Sequence, residues 1–196
     1  MAEARADRPW TVREFLDWVV HQPERWELVR GYPVKMMVGA RTGHNRATHN
    51  IGRVLGNQLL DGPCEVFGSD MAVETTGEQV RYPDVVIACG KPADDALEAS
   101  DVRMVVEVFS DSTQPFDVTD KLMEYQGVPT LRYILLVETR RRAVELYTRE
   151  NGAATWSSRR FEGEELLDLP MIGASISMDE IYRGMSPPPT LTVLRP

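Results

Sequence analysis

The chain contains 196 residues, of which 42% are hydrophobic and 27% are charged, and its net charge at pH 7 is -8. This length fits one domain with a sizeable core. The negative charge argues against a protein that coats nucleic acid through a broadly basic face. It does not exclude an acidic nuclease, because catalytic carboxylates also count toward the net charge. The clusters Arg140-Arg141-Arg142 and Arg159-Arg160 are predicted to be solvated hairpin ends.

Three further features bear on cellular location. No run of about 18 apolar residues is present, so no membrane-spanning segment and no membrane partner are expected. Residues 1–8 lack the apolar stretch of a signal peptide. Cys64 and Cys89 lie in different segments and outside any CxxC motif, which predicts reduced thiols in a cytoplasmic protein.

The first part of the chain predicts two helices and a hairpin. Thr11 and Glu14 form a capping box that opens a short amphipathic helix. A hairpin is predicted around Arg30-Gly31, with strands over 26–29 and 34–38. The next helix carries an apolar stripe at helical spacing and ends near Leu60.

The remainder is richer in strands. Four strands are predicted over 65–74, 80–89, 102–110 and 131–137, with a helix over 116–126 between the last two. Asn151-Gly152 is a strong turn signal between hairpin strands over 143–149 and 155–161. Ser177 is predicted to cap a last short helix.

This order of elements predicts a mixed α/β sheet flanked by helices in a single domain. If the two strands of the strand–helix–strand segment over 102–137 are parallel, their crossover should be right-handed. We expect a flexible N-terminus over 1–10, a folded domain over 11–183 and a Pro-rich extended tail over 184–196.

Two carboxylates stand in strands that otherwise look buried. Asp84 precedes Val85-Val86-Ile87-Ala88, and Glu107 follows Met104-Val105-Val106. An ionised carboxylate among apolar residues is costly unless a partner compensates for its charge. Such acids bind a cation, perform acid–base chemistry or close a buried ion pair. For Asp84 alone, a bond to a backbone amide or an arginine at a strand start is the favoured explanation.

Three other residues are candidates with open alternatives. Lys121 borders the apolar stripe of its helix, so it is either a surface lysine or a cation aimed at the two carboxylates. Glu27 is either a solvent-facing strand residue or part of the site. His44 falls on the inward face of its helix, as a core histidine or as a proton shuttle or phosphate ligand near a metal.

The pattern resembles the Uma-two family of endonucleases. The resemblance rests on Glu107-Val108-Phe109-Ser110-Asp111-Ser112-Thr113 followed by Asp117, Lys121, Tyr125 and Gly127-Val128-Pro129, and on Glu27-Leu28-Val29-Arg30-Gly31, His44 and Pro83-Asp84 upstream. It covers roughly residues 12–181. The resemblance implies the restriction-endonuclease-like fold of the PD-(D/E)XK superfamily for the folded domain.

This resemblance also implies a chemistry. Asp84, Glu107 and the Val108 carbonyl would hold Mg²⁺, with Mn²⁺ as a substitute. The superfamily's usual lysine lies two residues after the glutamate, where this chain has Phe109. The family is thought to take its lysine from the next helix, which matches Lys121. Relatives often have Tyr-Trp in the following strand, where this chain has Tyr133-Ile134.

The sequence therefore predicts a cytoplasmic Mg²⁺-dependent endonuclease that hydrolyses DNA phosphodiester bonds. Two alternatives stay open. One is a nuclease-derived DNA- or protein-binding module without turnover, which the acidic composition favours. The other is a structural protein in which the acids form a buried ion pair with Lys121. A homodimer is expected only by analogy with nucleases of this fold.

Overall fold

A computed structural model describes residues 8–36, 39–109 and 115–186 of the protein. Its four α-helices are α1 (Val12–Val19), α2 (Thr42–Leu59), α3 (Pro115–Gln126) and α4 (Met178–Ile181). Its strands are β1 (Trp26–Val29), β2 (Tyr32–Lys35), β3 (Glu65–Gly68), β4 (Val73–Thr75), β5 (Gln79–Arg81), β6 (Val85–Ala88), β7 (Val102–Phe109), β8 (Tyr133–Glu138), β9 (Ala143–Thr148), β10 (Ser157–Glu162), β11 (Leu166–Leu169) and β12 (Ala174–Ser177).

A six-stranded sheet in the order β10-β9-β8-β7-β6-β3 forms the centre of the molecule. Only β7 and β8 pair in parallel; the other neighbours are antiparallel. Successive side chains of a strand point to opposite faces. Accordingly, α2 packs through Ile51 and Leu55 on the face that carries Ile87 and Val106, whereas Tyr125 of α3 packs on the opposite face. The protein is thus the predicted mixed α/β sheet flanked by helices.

A second sheet in the order β2-β1-β5-β4 brings further polar residues toward α3. One of its faces is apolar and packs against α1, through contacts of Phe15 with Leu28 and Val80. Glu27 alternates with Leu28 and therefore points to the other face, where it meets Arg81. Because successive side chains of these short strands point to opposite faces, the charged side chains of Glu27 and Arg81 point into the interior of the molecule.

Several local predictions are confirmed because their signals are short-range. Thr11 and Ser177 each form a capping box with the glutamate three residues later. Arg30 and Gly31 both adopt positive φ, at 52° and 79°, which is the backbone that a tight turn between twisted strands requires. The predicted helices α2 and α3 are also present, and β7 and β8 pair in parallel, which the sequence had left open.

Three predicted strands are wrong in extent. The second hairpin strand, predicted over 34–38, is Tyr32–Lys35 in the structure, and residues 37–38 lie outside the described part of the chain. The strand over 65–74 is broken by a turn after Gly68, so that β3 belongs to the large sheet and β4 to the second sheet. The strand over 80–89 is divided into β5 and β6. Pro83 lies in the gap, because proline has no N–H for a strand ladder. Asp84 therefore lies just before β6 rather than inside a strand.

The prediction of reduced thiols is also wrong, because Cys64 and Cys89 form a disulfide. Cys64 precedes β3 and Cys89 follows β6, and the pairing of Glu65 with Ala88 brings the two cysteines opposite each other. The positions of the two cysteines in the sequence do not predict that they lie close together. The β11–β12 hairpin is a further element that the sequence patterns do not predict.

The predicted flexible N-terminus and extended tail lie largely outside the described residues, which exclude 1–7 and 187–196. Within the described part, Trp10 packs edge-on against Trp18 of α1. None of the helices described is long and apolar enough to cross a membrane.

Candidate active site

The candidate site lies at one edge of the large sheet, where β6 begins and β7 and β8 end. Val85 pairs with Val106, which brings Asp84 beside the end of β7. There the Asp84 Oδ2 accepts a 2.7 Å hydrogen bond from the Val108 backbone N–H. At this edge, side chains of the sheet can meet side chains of α2 on one face and of α3 on the other.

Glu107 lies near the end of β7, and 17% of its side chain is exposed. Its Oε1 accepts a 2.7 Å hydrogen bond from the Tyr125 hydroxyl and lies 3.6 Å from the Lys121 Nζ. Burial raises the pKa of Glu107 to about 7, although the nearby Lys121 ammonium acts in the opposite direction. The negative charge of Asp84 adds to the increase. Glu107 therefore holds its proton more tightly than an exposed glutamate does.

Lys121 points into the site from α3, as the functional interpretation of the sequence required. Its Nζ lies 3.0 Å from the Glu27 Oε1, closer than to Glu107, and its side chain is 12% exposed. Lys121 thus bridges the two glutamates. The interpretation as a simple surface lysine is wrong.

Glu27 is buried, with 7% of its surface exposed, so the solvent-facing alternative is wrong as well. Its second oxygen, Oε2, accepts a 2.8 Å hydrogen bond from Arg81. Burial alone would raise the pKa of Glu27, but the charges of Lys121 and Arg81 and their hydrogen bonds outweigh it and lower the pKa. Glu27 is therefore ionised and holds Lys121 in position.

Arg81 and Glu124 complete the network and were missed from the sequence. Arg81 is 4% exposed and donates two 2.7 Å hydrogen bonds to the carboxylate of Glu124. This bidentate geometry is the strongest form of the arginine–carboxylate pair. The only sequence signal was the alternation of Gln79 and Arg81 with Val80, which indicates a shared face but does not identify a partner.

His44 reaches the site from the start of α2. Its Nε2 lies 3.2 Å from the Asp84 Oδ2. That hydrogen bond raises the pKa of His44, burial opposes the increase, and the charges of Asp84 and Glu107 reinforce it. Among the described residues, no hydrogen-bond partner is found for the buried Nδ1. His44 is thus placed beside a candidate metal ligand rather than deep in the core.

The two carboxylates suit a hard cation. Protein donors contact one oxygen of each, Asp84 Oδ2 and Glu107 Oε1, and no hydrogen bond to the other oxygen is found among the described residues. Mg²⁺ is typically bound through one or two carboxylates while it retains several waters. The described residues contain no group of three or more His, Cys, Asp or Glu side chains placed to hold a metal. Asp84 and Glu107 are therefore the carboxylates of this edge that could contribute ligands to a metal ion.

Five of the predicted site residues are therefore brought together: Glu27, His44, Asp84, Glu107 and Lys121. The Val108 backbone joins them through its bond to Asp84. The motif residues 110–114 and the Asp117 side chain lie outside the described part of the chain. Carboxylates, a histidine and a lysine at one edge of a mixed α/β sheet are the residue types that a nuclease-like protein uses to bind a cation and to stabilise charge on phosphate.

Comparison with known proteins agrees with this class. Residues 12–179 match the Uma2 family, which is described as "Putative restriction endonuclease". The chain belongs to this family. The match covers most of the chain, and it supports a nuclease-like, hydrolytic function.

Similar proteins include two from the cyanobacterium Synechocystis sp. "Uncharacterized protein slr1290" is 29% identical over 175 residues, which cover 88% of this chain and 91% of the relative. "Uncharacterized protein sll1609" is 29% identical over 158 residues, which cover 79% of this chain and 88% of the relative.

A solved structure shares the fold. The crystal structure of "a putative nuclease belonging to DUF820" from Anabaena variabilis superimposes with a TM-score of 0.66 and 16% sequence identity. The superposition covers 88% of this chain and 97% of the other. The restriction-endonuclease-like architecture implied by the sequence motifs is confirmed.

Proposed function

We propose that this protein is a Mg²⁺-dependent endonuclease that hydrolyses DNA phosphodiester bonds. The observation that carries the proposal is the position of Asp84 and Glu107 at the same edge of the sheet, each with an oxygen that no described side chain contacts, and with Lys121 3.6 Å from Glu107. Membership of a family described as a restriction endonuclease supports DNA as the substrate.

In this proposal Asp84, Glu107 and the Val108 carbonyl would hold the cation. When bound, magnesium supplies a Lewis acid for the phosphodiester oxygen and lowers the pKa of an attacking water. Lys121 orients that water or stabilises the charge that develops on the phosphoryl oxygens. Glu27 holds Lys121 in position, and Arg81 in turn fixes Glu27. His44 orients Asp84 and can transfer a proton at the edge of the site.

A catalytically silent module is the second candidate. The observation that favours it is the position of Lys121, whose Nζ lies 3.0 Å from Glu27 but 3.6 Å from Glu107. A lysine held mainly by a structural glutamate can complete a buried ion network without taking part in hydrolysis. Metal binding separates the two, because a live site takes up Mn²⁺ through Asp84 and Glu107.

Lys121→Met tests the proposed role of the lysine. We expect loss of plasmid nicking with retention of Mn²⁺ binding, because Lys121 contributes charge to the transition state and no ligand to the cation. Nicking assays and isothermal titration on the same preparation measure the two properties. Asp84→Asn is the matched control, in which both properties should be lost. Full nicking by Lys121→Met would show that the lysine is not catalytic.

Cytoplasmic location and a homodimer stay predictions. The disulfide removes the cysteine argument for the cytoplasm, since disulfides are rare in reducing compartments.

A further inference from the structure

We propose that Arg41, Arg140 and Arg141 form a surface that contacts the phosphate backbone of DNA beside the candidate site. The proposal rests on the proposed nuclease function and extends it to the residues that bind the polynucleotide away from the reacting phosphate. All three arginines are exposed. The sequence patterns alone had predicted only a solvated hairpin end for Arg140 and Arg141.

The turn that carries Arg140 and Arg141 is fixed next to the strand that carries Glu107. β7 and β8 are parallel, and Val108 and Phe109 pair with Val137 and Glu138. The chain then turns through residues 139–142 at the same edge of the sheet. Thr139 anchors this turn, because its backbone N–H and its hydroxyl each donate a 3.1 Å hydrogen bond to the Phe109 carbonyl.

Arg41 approaches the same place from the start of α2. A Cβ added at Gly43 would lie 3.8 Å from the Thr139 Cβ, so the first turn of the helix lies against the β8–β9 turn. The next residue, His44, contacts Asp84. Arg41 is the residue that precedes the helix, and its side chain makes no capping hydrogen bond. The arginines are therefore continuous with the candidate site.

Local charge makes this surface cationic in an acidic protein. Within the described ranges, no carboxylate lies within ion-pair distance of Arg41 or Arg141. Two acids on the neighbouring elements are already paired: Asp179 with Arg142, and Glu138 with Arg160 at 3.0 Å. Guanidinium groups match phosphate oxygens in geometry and remain charged at all relevant pH values. A phosphodiester backbone is the partner whose charge this surface complements.

The test measures DNA binding without metal, so that it does not depend on catalysis. Binding of a fluorescent duplex to the full chain is followed by anisotropy in EDTA over a series of salt concentrations. Each phosphate contact contributes about 0.9 to the slope of log affinity against log salt concentration. We expect Arg41→Gln and Arg141→Gln each to lower that slope by about 1 and to weaken binding about tenfold at low salt.

Arg13→Gln is the matched control, since Arg13 is an exposed arginine on α1 with 91% of its side chain accessible. It removes the same charge from the distant side of the second sheet and should leave the slope unchanged. Arg41→Lys and Arg141→Lys should retain most of the slope. Thermal unfolding of each variant verifies the fold.

Two results would overturn the proposal: no duplex binding by the wild-type protein, or equal slopes for the wild type, Arg41→Gln and Arg141→Gln. A lowered slope in these variants but not in Arg13→Gln supports it. If the slope falls as expected while the wild type cleaves no DNA with Mg²⁺, the surface stands and the nuclease activity is refuted.

Discussion

At the scale of single residues, Glu107 couples the chemistry of the site to the stability of the protein. Its carboxyl group is buried beside Asp84, and its pKa rises from an ordinary value of 4.5 to about 7. A folded state that holds a proton more tightly than the unfolded chain is most stable below the unfolded pKa. The stability that Glu107 contributes is then lost as the pH rises through its pKa in the folded state.

We therefore expect the unfolding free energy of the metal-free protein to fall between about pH 4.5 and about pH 7 through Glu107. Glu107→Gln mimics the neutral form and should remove this part of the pH dependence. Urea unfolding in EDTA at about pH 5 and about pH 8 measures it. The variant should gain stability relative to the wild type at the higher pH. An identical difference at both values would mean that Glu107 does not titrate in this window.

Arg81 is the residue whose loss should damage the fold most directly. It is the shared partner of Glu27 and Glu124, and its removal leaves the buried Glu27 and the partly buried Glu124 without that partner. Breaking a buried ion pair by removing one member costs about 3–5 kcal/mol. Chemical denaturation of Arg81→Met should show a loss of this order, whereas Arg13→Met, at an exposed arginine, should change stability little. A loss equal to that of Arg13→Met would show that the buried network contributes nothing to folding.

At the scale of elements, the β1–β2 turn shows how one glycine joins local backbone to packing. Gly31 has a φ of +79°, and a Cβ at this position would lie 2.6 Å from the Pro9 Cβ. Gly152, in the turn between β9 and β10, has a similar φ of +80° and open space around it. The two glycines therefore share a conformational requirement and differ in their surroundings.

Gly31→Ala should destabilise the protein more than Gly152→Ala. Both substitutions incur about 1–2 kcal/mol for a left-handed backbone conformation. Only Gly31→Ala also forces the segment around Pro9 away from the turn. Thermal melting of the two variants in parallel gives the difference, and equal shifts would show that the contact with Pro9 yields without cost. β1 also carries Glu27, which contacts Lys121. The position of the Lys121 side chain should therefore also change in Gly31→Ala.

At the scale of the whole molecule, the Cys64–Cys89 disulfide joins an edge strand of the large sheet to its neighbour. The two cysteines are 25 residues apart in sequence. Closing a loop of this length restricts the unfolded chain, which corresponds to about 3–4 kcal/mol in the loop-entropy description. The bond is therefore a substantial contribution to a protein of this size.

Reduction should lower the midpoint of thermal unfolding without removing the β3–β6 pairing, because four residue pairs connect these strands independently of the sulfurs. The double variant Cys64→Ala, Cys89→Ala should show the same lower midpoint with or without reductant. Thermal melting in the presence and absence of dithiothreitol is the measurement. No effect of reductant on the wild type would mean that the thiols are not bonded in solution.

The sequence by itself determined the elements whose signals are local. It also identified Asp84 and Glu107 as carboxylates among apolar strand residues. The capping boxes at Thr11 and Ser177, the Arg30-Gly31 turn and the extents of α2 and α3 follow from contacts within a few residues. Motif resemblance identified the family and the restriction-endonuclease-like fold, which the comparisons confirm. The roles of the site residues stay predictions.

Only the tertiary structure decided how these residues meet. Lys121 and Glu27 are 94 residues apart, and Arg81 and Glu124 are 43 apart, so no periodicity could reveal either pair. Burial of Glu27, the position of Asp84 before β6 and the disulfide depend equally on strand order. The physical reason is that pairing of distant strands fixes which side chains share a low-dielectric interior, and a charge placed there must find its partner in space rather than in sequence.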